Sequence, residues 1–312
     1  MTTSSTPPII CHGIDVGGTK IELVSFDTEM QELHRQRIDT PRNGYSAFLD
    51  ALFALIAEAD DALDSAGCTI GIGLPGVREH ASGRQLSANI PSLTGHRVAA
   101  DLAAHLQRPL RLGNDSQCFA ASEANGGAAH GYPSMAGVIL GTGAGGAFCL
   151  GGRLVSGHNG IASEWGHWSL PAHQRDKYHL PLLDCGCGLH GCLERYVSGT
   201  GLANLHRYLG GVSPDATRVI AAADTGESSA RQALAIHLDL LGHALACLVM
   251  ALDPHVIVLG GGLSRYAPLY SGLPAAMQPH LFAGMQVPPI VPPRFGDAGG
   301  ARGAAMLARY YF

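Results

Sequence analysis

Twice in this 312-residue chain an apolar, strand-like run breaks at a cluster of glycines and resumes as a second apolar run. The first copy reads Ile9 to Asp15, then Val16-Gly17-Gly18-Thr19-Lys20, then Ile21 to Phe26. The second reads Ala136 to Leu140, then Gly141-Thr142-Gly143-Ala144-Gly145-Gly146, then Ala147 to Leu150. Strand, glycine turn, strand is the grammar of a β-hairpin. Met twice, it is a weak internal duplication, and it predicts two similar α/β lobes facing each other across a cleft. With 46% hydrophobic and only 14% charged residues the chain can bury two cores. The expected division is a smaller lobe over 1–133 and a larger one over 134–297, with a helix at 298–312 packing back on the first.

The intervening segments supply the other layers. Ser46 to Leu63 carries Phe48, Leu49, Leu52, Leu55, Ile56, Ala59 and Leu63 on one face, with Ser46 as the expected cap. Asp115 to Ala129 and Arg231 to Leu252 read as further helices. Ile70 to Leu74 and Val256 to Leu259 are continuous apolar runs, the pattern of parallel strands covered on both faces. Each run breaks at glycine, at Pro75-Gly76 and at Gly260-Gly261-Gly262, and in open α/β sheets ligands collect where strands end. The first dozen residues read as a loose tail. The apolar stretch Ala244 to Leu252 and Val256 to Leu259 is interrupted by Asp253-Pro254, too broken to span a bilayer. A net charge of -5 without a basic run leaves no footprint for nucleic acid. A reducing, cytoplasmic setting is expected from thiols that no secretory signal precedes.

One of those thiol clusters carries chemistry. Cys185-Gly-Cys187-Gly-Leu-His-Gly-Cys192 places three thiolates on a glycine-rich turn, and His167 in Glu164-Trp-Gly-His167 offers the fourth arm of a closed tetrahedral set for structural Zn²⁺. Such a knot would fix the flanking acids Glu164 and Glu194. The other five cysteines, Cys11, Cys68, Cys118, Cys149 and Cys247, lie in apolar runs and are expected in the core.

Glycine lets backbone N–H groups approach a phosphate, and Thr19 and Lys20 add a hydroxyl and a cation. Asp15 at its strand end is placed to hold Mg²⁺. The competing reading of this first turn is a tight hairpin and nothing more. It is not a P-loop, whose glycine-lysine spacing is absent. Gly141-x-Gly143-x-x-Gly146 matches the dinucleotide-binding fingerprint of a dehydrogenase, but Ala147 to Leu150 stops at Gly151-Gly152, too short for the helix that fingerprint opens. Asn114-Asp115 can be an ordinary helix cap, or Asp115 can be a carboxylate that takes a proton from a substrate hydroxyl.

Together, Asp15-Val-Gly17-Gly18-Thr19-Lys20, Gly141-Thr-Gly143-Ala-Gly145-Gly146, Glu164-Trp-Gly166-His167 and Cys185 to Glu194 resemble the ROK family of bacterial sugar kinases and related repressors, over about Ile9 to Arg309. Tyr45 to Asp50, Ala88-Asn89-Ile90-Pro91, Arg111 to Phe119 and Gly296 to Gly300 resemble its N-acetyl-D-glucosamine-phosphorylating members. The resemblance implies a two-lobed, actin-like α/β fold with a structural zinc site, and transfer of phosphate from ATP to the 6-hydroxyl of an N-acetylhexosamine, N-acetyl-D-glucosamine first. It implies Asp115 as general base, and Asn89, Asn114, Asp115, Glu164, His167 and Glu194 as sugar ligands, with His167 also on zinc beside Cys185, Cys187 and Cys192. The nucleotide would meet Gly13, Asp15, Gly17, Gly18, Thr19 and Lys20, then Gly141, Thr142, Gly143, Gly145 and Gly146, and Gly260, Gly261 and Gly262. Glucose, N-acetylmannosamine or fructose kinases would share these residues, and a sugar-binding regulator is the non-enzymatic alternative. A homodimer is the default assembly. Ala147 and Ser163 stand where relatives commonly have glycine.

Overall fold

A computed structural model describes residues 10–87, 90–296 and 299–310. They divide into two compact units. One comprises the chain up to Asn125, the segment Gly157–Ile161 and the last helix; the other comprises Gly126–Ser156 and Ala162–Gly296.

The first unit is built on a five-stranded sheet. β1 (Cys11–Val16) and β2 (Lys20–Phe26) form the first hairpin, β3 (Glu32–Asp39) extends it, and the sequence continues through α1 (Tyr45–Leu63) to β4 (Thr69–Gly73). A small hairpin, β5 (Val77–Arg78) and β6 (Gln85–Leu86), precedes α2 (Val98–Leu106), β7 (Leu110–Gly113) and α3 (Asp115–Ala124). The strand order is β3-β2-β1-β4-β7, with β1, β4 and β7 parallel. Period-two alternation sorts β1 onto two faces. Ile14 and Val16 join Phe48, Leu52, Leu55 and Ile56 of α1 in one core, whereas Cys11 packs on the other face with Ala301 and Ala305 of the last helix, Gly299–Tyr310.

Two glycines seat that helix. A Cβ at Gly13 would lie 1.9 Å from the Ala301 carbonyl oxygen, and one at Gly71 would lie 1.7 Å from that of Ala304. Gly13 was expected among the nucleotide ligands. It is buried beneath this helix instead, and close backbone packing accounts for its missing side chain.

The second unit repeats the plan. β8 (Ser134–Leu140), β9 (Ala144–Leu150) and β10 (Arg153–Leu154) are antiparallel neighbours, and β11 (Val256–Gly260) and β12 (Ile290–Val291) add to β8 in parallel, in the order β10-β9-β8-β11-β12. The antiparallel–parallel sequence is that of the first sheet, so the duplicated grammar is a duplicated topology. Its helices are α4 (Ala172–Tyr178), α5 (Glu194–Val197), α6 (Gly199–Tyr208), α7 (Ala216–Asp224), α8 (Ser228–Leu252) and α9 (Pro268–Met277). α8 runs 25 residues and is long and apolar enough to cross a membrane, which the interruption at Asp253 had concealed. Leu240, Leu241, Ala244, Leu245 and Leu248 are buried in this unit's core, where they pack with Leu202, Val219 and Leu259, so α8 is a core helix.

Four local expectations shift. Gly44, not Ser46, is the N-cap of α1, and no side chain caps that end. α3 stops at Ala124, followed by Gly126 at φ 89°, rather than reaching Ala129. The second glycine turn is only Gly141 to Gly143, because Gly145 and Gly146 pair in β9 with Ile139 and Val138. Cys68 and Cys247 are half-buried, while Cys11, Cys118 and Cys149 are core residues.

Candidate functional site

In the first unit, the polar groups gather where β1 and β7 end. The β1–β2 turn closes when the Gly17 N–H donates to the Lys20 carbonyl (2.9 Å), and the Thr40 hydroxyl donates to the Gly17 carbonyl (2.7 Å). That leaves Gly18, Thr19 and Lys20 exposed at the tip. Asp15 lies on the face of the last helix, so close that a Cβ at Gly300 would sit 2.4 Å from its Oδ2. Burial raises the Asp15 carboxyl from 3.8 to about 6; Asp115 and Glu22 push the same way and Lys20 opposes them. A carboxylate held in such surroundings gains from a cation.

Asp115 opens α3 and is exposed, its Oδ1 accepting from the Ser116 N–H (3.1 Å). Asn114 caps that helix: its Oδ1 accepts from the Gln117 N–H (2.8 Å), and Gln117 Oε1 accepts from the Asn114 N–H (3.1 Å). The helix-cap reading therefore holds for Asn114. The reciprocal cap fixes Asp115 in the first turn, where the helix dipole favours a carboxylate. Gln117 also donates through Nε2 to the Gly160 carbonyl (3.0 Å), tying in the segment Gly157–Ile161. Asn89 lies outside the described residues.

In the second unit, the Glu164-Trp-Gly-His167 turn is pinned onto β9. The fully buried Trp165 donates its Nε1–H to the Gly145 carbonyl (2.9 Å). A Cβ at Gly146 would meet Trp165 Nε1 at 2.7 Å, and one at Gly166 would meet the Ala144 carbonyl oxygen at 1.9 Å. Gly145 and Gly146 are thus strand residues, with Gly146 serving the indole rather than a phosphate. Ser163, just before this turn, has φ 70°, in the left-handed region that glycine occupies without strain. Ala147 is buried in β9 opposite Gly137.

His167 and the three cysteines come together. Their ligand atoms all lie within 4.8 Å of one another, with Cys187 Sγ 3.6 Å from Cys192 Sγ and Cys185 Sγ 3.7 Å from His167 Nδ1. Bonds of about 2.3 Å to sulfur and 2.0–2.1 Å to nitrogen give tetrahedral edges of about 3.8 Å between sulfurs and about 3.6 Å from sulfur to nitrogen. The donor set fits a zinc-sized ion. Burial and the neighbouring thiols push Cys192 up to about 12, so thiolates at this site call for a cation beside them. Gly188 (φ 89°) and Gly191 (φ 72°) make the turns between the ligands.

Glu194 opens α5 and reaches in two directions. Its Oε2 accepts from the Ala144 N–H (3.0 Å) at the start of β9, and its Oε1 accepts from Cys185 Sγ (3.7 Å). The acid foreseen as a sugar ligand thus links the thiol cluster to the glycine hairpin.

That hairpin forms one wall of a cavity of about 710 Å³, within the usual range for small-ligand sites. Gly141 and Thr142 line it beside Gly262, as the glycine breaks implied. The opposite wall was not foreseen: Gly199 and Thr200 at the N-terminus of α6, with Arg207, Asp215 and Tyr266 further in. The Gly199 N–H donates to the Gly141 carbonyl (2.7 Å), and Gly261 (φ 77°) passes so near Leu140 that a Cβ would fall 2.6 Å from its carbonyl. The local signal was Ser198-Gly-Thr-Gly201, where Ser198 caps α6 by accepting from the Gly201 N–H (2.9 Å). A helix N-terminus facing a glycine turn is suited to an anion.

The model of the ROK family matches residues 11–310. This chain belongs to the ROK family. Among ROK proteins it is 45% identical to an N-acetylgalactosamine kinase of a Shewanella species, covering 95% of this chain and 96% of the relative. It is 41% identical to an N-acetyl-D-glucosamine kinase of Yersinia enterocolitica, covering 95% and 98%. Solved structures agree: a ROK hexokinase from Thermus thermophilus superposes with TM-score 0.85 at 30% identity, over 97% of this chain and 98% of the other. A ROK glucokinase from Streptomyces griseus, in complex with glucose and AMPPNP, gives TM-score 0.75 at 26% identity, over 96% and 99%. The two matching sheets are those of the actin-like ROK fold.

Proposed function

We propose that this chain is an ATP-dependent kinase for the 6-hydroxyl of an N-acetylhexosamine, with N-acetyl-D-glucosamine as the preferred acceptor. The observation that carries the proposal is that one chain holds both an exposed, cap-fixed carboxylate, Asp115, and an anion-suited cavity behind Gly141 and Thr142. N-acetyl-D-galactosamine is the second reading, favoured by the 45% identity to the Shewanella kinase.

In this proposal Asp115 accepts the hydroxyl proton as the sugar oxygen attacks phosphorus. Gly18, Thr19 and Lys20, and likewise Gly141 to Gly143, are residues that offer N–H groups and a cation to phosphate. The adenosine occupies the cavity between α6 and the Gly260 to Gly262 break. Asp15 would hold Mg²⁺, which neutralises charge on the transferring phosphoryl. Asn89, Asn114, Glu164 and Glu194 serve the sugar. His167 divides its ring, with Nδ1 toward zinc and Nε2 left for a sugar hydroxyl, so the ion would fix the tautomer that the sugar meets.

An ATP-consumption assay across N-acetylglucosamine, N-acetylgalactosamine, glucose, N-acetylmannosamine and fructose tests the proposal. The highest kcat/KM is expected on N-acetylglucosamine. A preference for the 4-epimer selects the second reading, and no turnover on any of the five refutes the kinase.

A further inference from the structure

Away from the thiol cluster, three imidazoles from separate segments of the second unit converge. His173 comes from α4, His243 from the middle of α8, and His280 from the short 3-10 turn Gln278–His280. Their ring centres are 4.8 Å apart for His243 and His280, 5.0 Å for His173 and His243, and 6.4 Å for His173 and His280. Along α8, Asp239 stands one turn before His243 and Cys247 one turn after, so both share its helix face.

Hydrogen bonding does not account for this gathering. Among the described residues, the rings of His173 and His280 have no hydrogen-bond partner, and His243 has only Cys247 Sγ, at 3.7 Å from Nδ1. Burial, then His280 and His173, lower the His243 pKa, while Asp239 raises it, so the rings discourage one another's protonation. Asp239 is itself held by Lys177 Nζ and the Tyr178 hydroxyl, which donate to it at 3.1 and 2.8 Å.

Two of the three spacings are close to what a shared ion would require. With metal–nitrogen bonds of about 2.1 Å and about 1.1 Å more to each ring centre, three imidazoles on one tetrahedral ion have centres roughly 5.2 Å apart. Two of the three separations nearly meet that value. The third, 6.4 Å, is too long as it stands, so an ion would have to draw the exposed His173 inward through a change of rotamer. We infer that His173, His243 and His280 form a second metal site, for a divalent transition ion that favours imidazole, such as Ni²⁺ or Zn²⁺. The ion would staple α4, α8 and the 3-10 turn together, with Asp239 or water completing its shell. The site is independent of the kinase assignment.

Untagged protein that keeps one equivalent of zinc at the thiol cluster, with any further metal stripped and checked by metal analysis, is titrated with Ni²⁺ by calorimetry at pH 7.5 as the test. One equivalent is expected to bind and to raise the thermal unfolding midpoint. Its affinity should fall at least tenfold at pH 5.5, where protons compete for the imidazoles. His173→Asn and His243→Asn should each weaken binding by at least the roughly 10–100-fold that loss of a mere outer-shell partner costs at metal centres. Because His173 is exposed, its variant keeps the fold and serves as the decisive comparison. The inference is overturned if the native protein binds no equivalent of Ni²⁺, or if the His173→Asn protein binds it with unchanged affinity.

Discussion

Asp15 offers a test in which function and stability pull in opposite directions. Its carboxyl has an ordinary value of 3.8 and is raised in the folded protein to about 6, chiefly by burial and then by Asp115 and Glu22. A raised acid favours the folded state below pH 3.8, where it is protonated in both states. That advantage is lost as pH rises through about 6, where the folded state must hold the charge. The gap is roughly two pH units at about 1.4 kcal/mol each, so the ionised carboxylate costs the metal-free protein about 3 kcal/mol above pH 6. Asp15→Asn removes the charge and keeps the shape. In chemical denaturation without Mg²⁺, the variant should be more stable than the parent by about 2–3 kcal/mol at pH 8, and the difference should vanish near pH 4. The same variant should lose Mg²⁺-dependent turnover, the trade-off expected of an active-site charge. A variant no more stable than the parent at pH 8 would show that Asp15 is comfortably solvated, and would remove the reason for a cation there.

Four shorter predictions accompany it. Asp115→Asn should lower kcat by about two or more orders of magnitude with little change in sugar affinity, read by steady-state kinetics and sugar titration. Cys187→Ser, or chelation of the parent, should release zinc in metal analysis and weaken sugar binding by about 10–100-fold. Ser163→Gly should relieve the left-handed backbone at φ 70° and raise stability by about 1 kcal/mol, a midpoint gain of roughly 2–4 °C. His237 is fully buried, donates through Nε2 to the Val197 carbonyl (2.8 Å), and is lowered by burial to about 4, so below pH 6.5 only the unfolded chain gains its proton. Relative to His237→Gln, which keeps a donor there, the parent should lose about 2 kcal/mol of stability between pH 6.5 and 5.

The parts of this fold that the sequence made legible are those with a period. Ile70 to Leu74 and Val256 to Leu259 are continuous apolar runs and became the parallel strands β4 and β11; the glycine-broken runs became the two hairpins. The cluster of His167 with Cys185, Cys187 and Cys192 was legible because three thiols on a polar, glycine-punctuated turn are badly placed for a core and well placed for an ion. Glycine was the blind spot, since it has no side chain to report a period. Gly145 and Gly146 read as turn but belong to β9, because the partner that excludes a side chain at Gly146 is Trp165, nineteen residues on. Gly13 read as a phosphate cradle for a similar reason, its partner Ala301 being at the other end of the chain. The far wall of the cavity escaped notice because α6 and α7 meet the hairpin only through tertiary packing. Asn114 satisfied both of its readings at the level of sequence, and only the reciprocal bonds with Gln117 showed that it caps α3.

The seat of the last helix also sets an order of events during synthesis. The sheet of the first unit has one face covered by Gly299–Tyr310, with Gly13 and Gly71 receiving that helix backbone to backbone. A ribosome finishes those residues only after the whole second unit has been made. Translation therefore inverts the usual vectorial sequence: the later-encoded unit can fold first, while the earlier-encoded one waits, one side bare, for the helix Gly299–Tyr310. A nonsense codon shortly before Gly299 would leave the second unit's strands intact and strand the first unit half-built, a substrate for chaperones or proteases rather than a shortened enzyme.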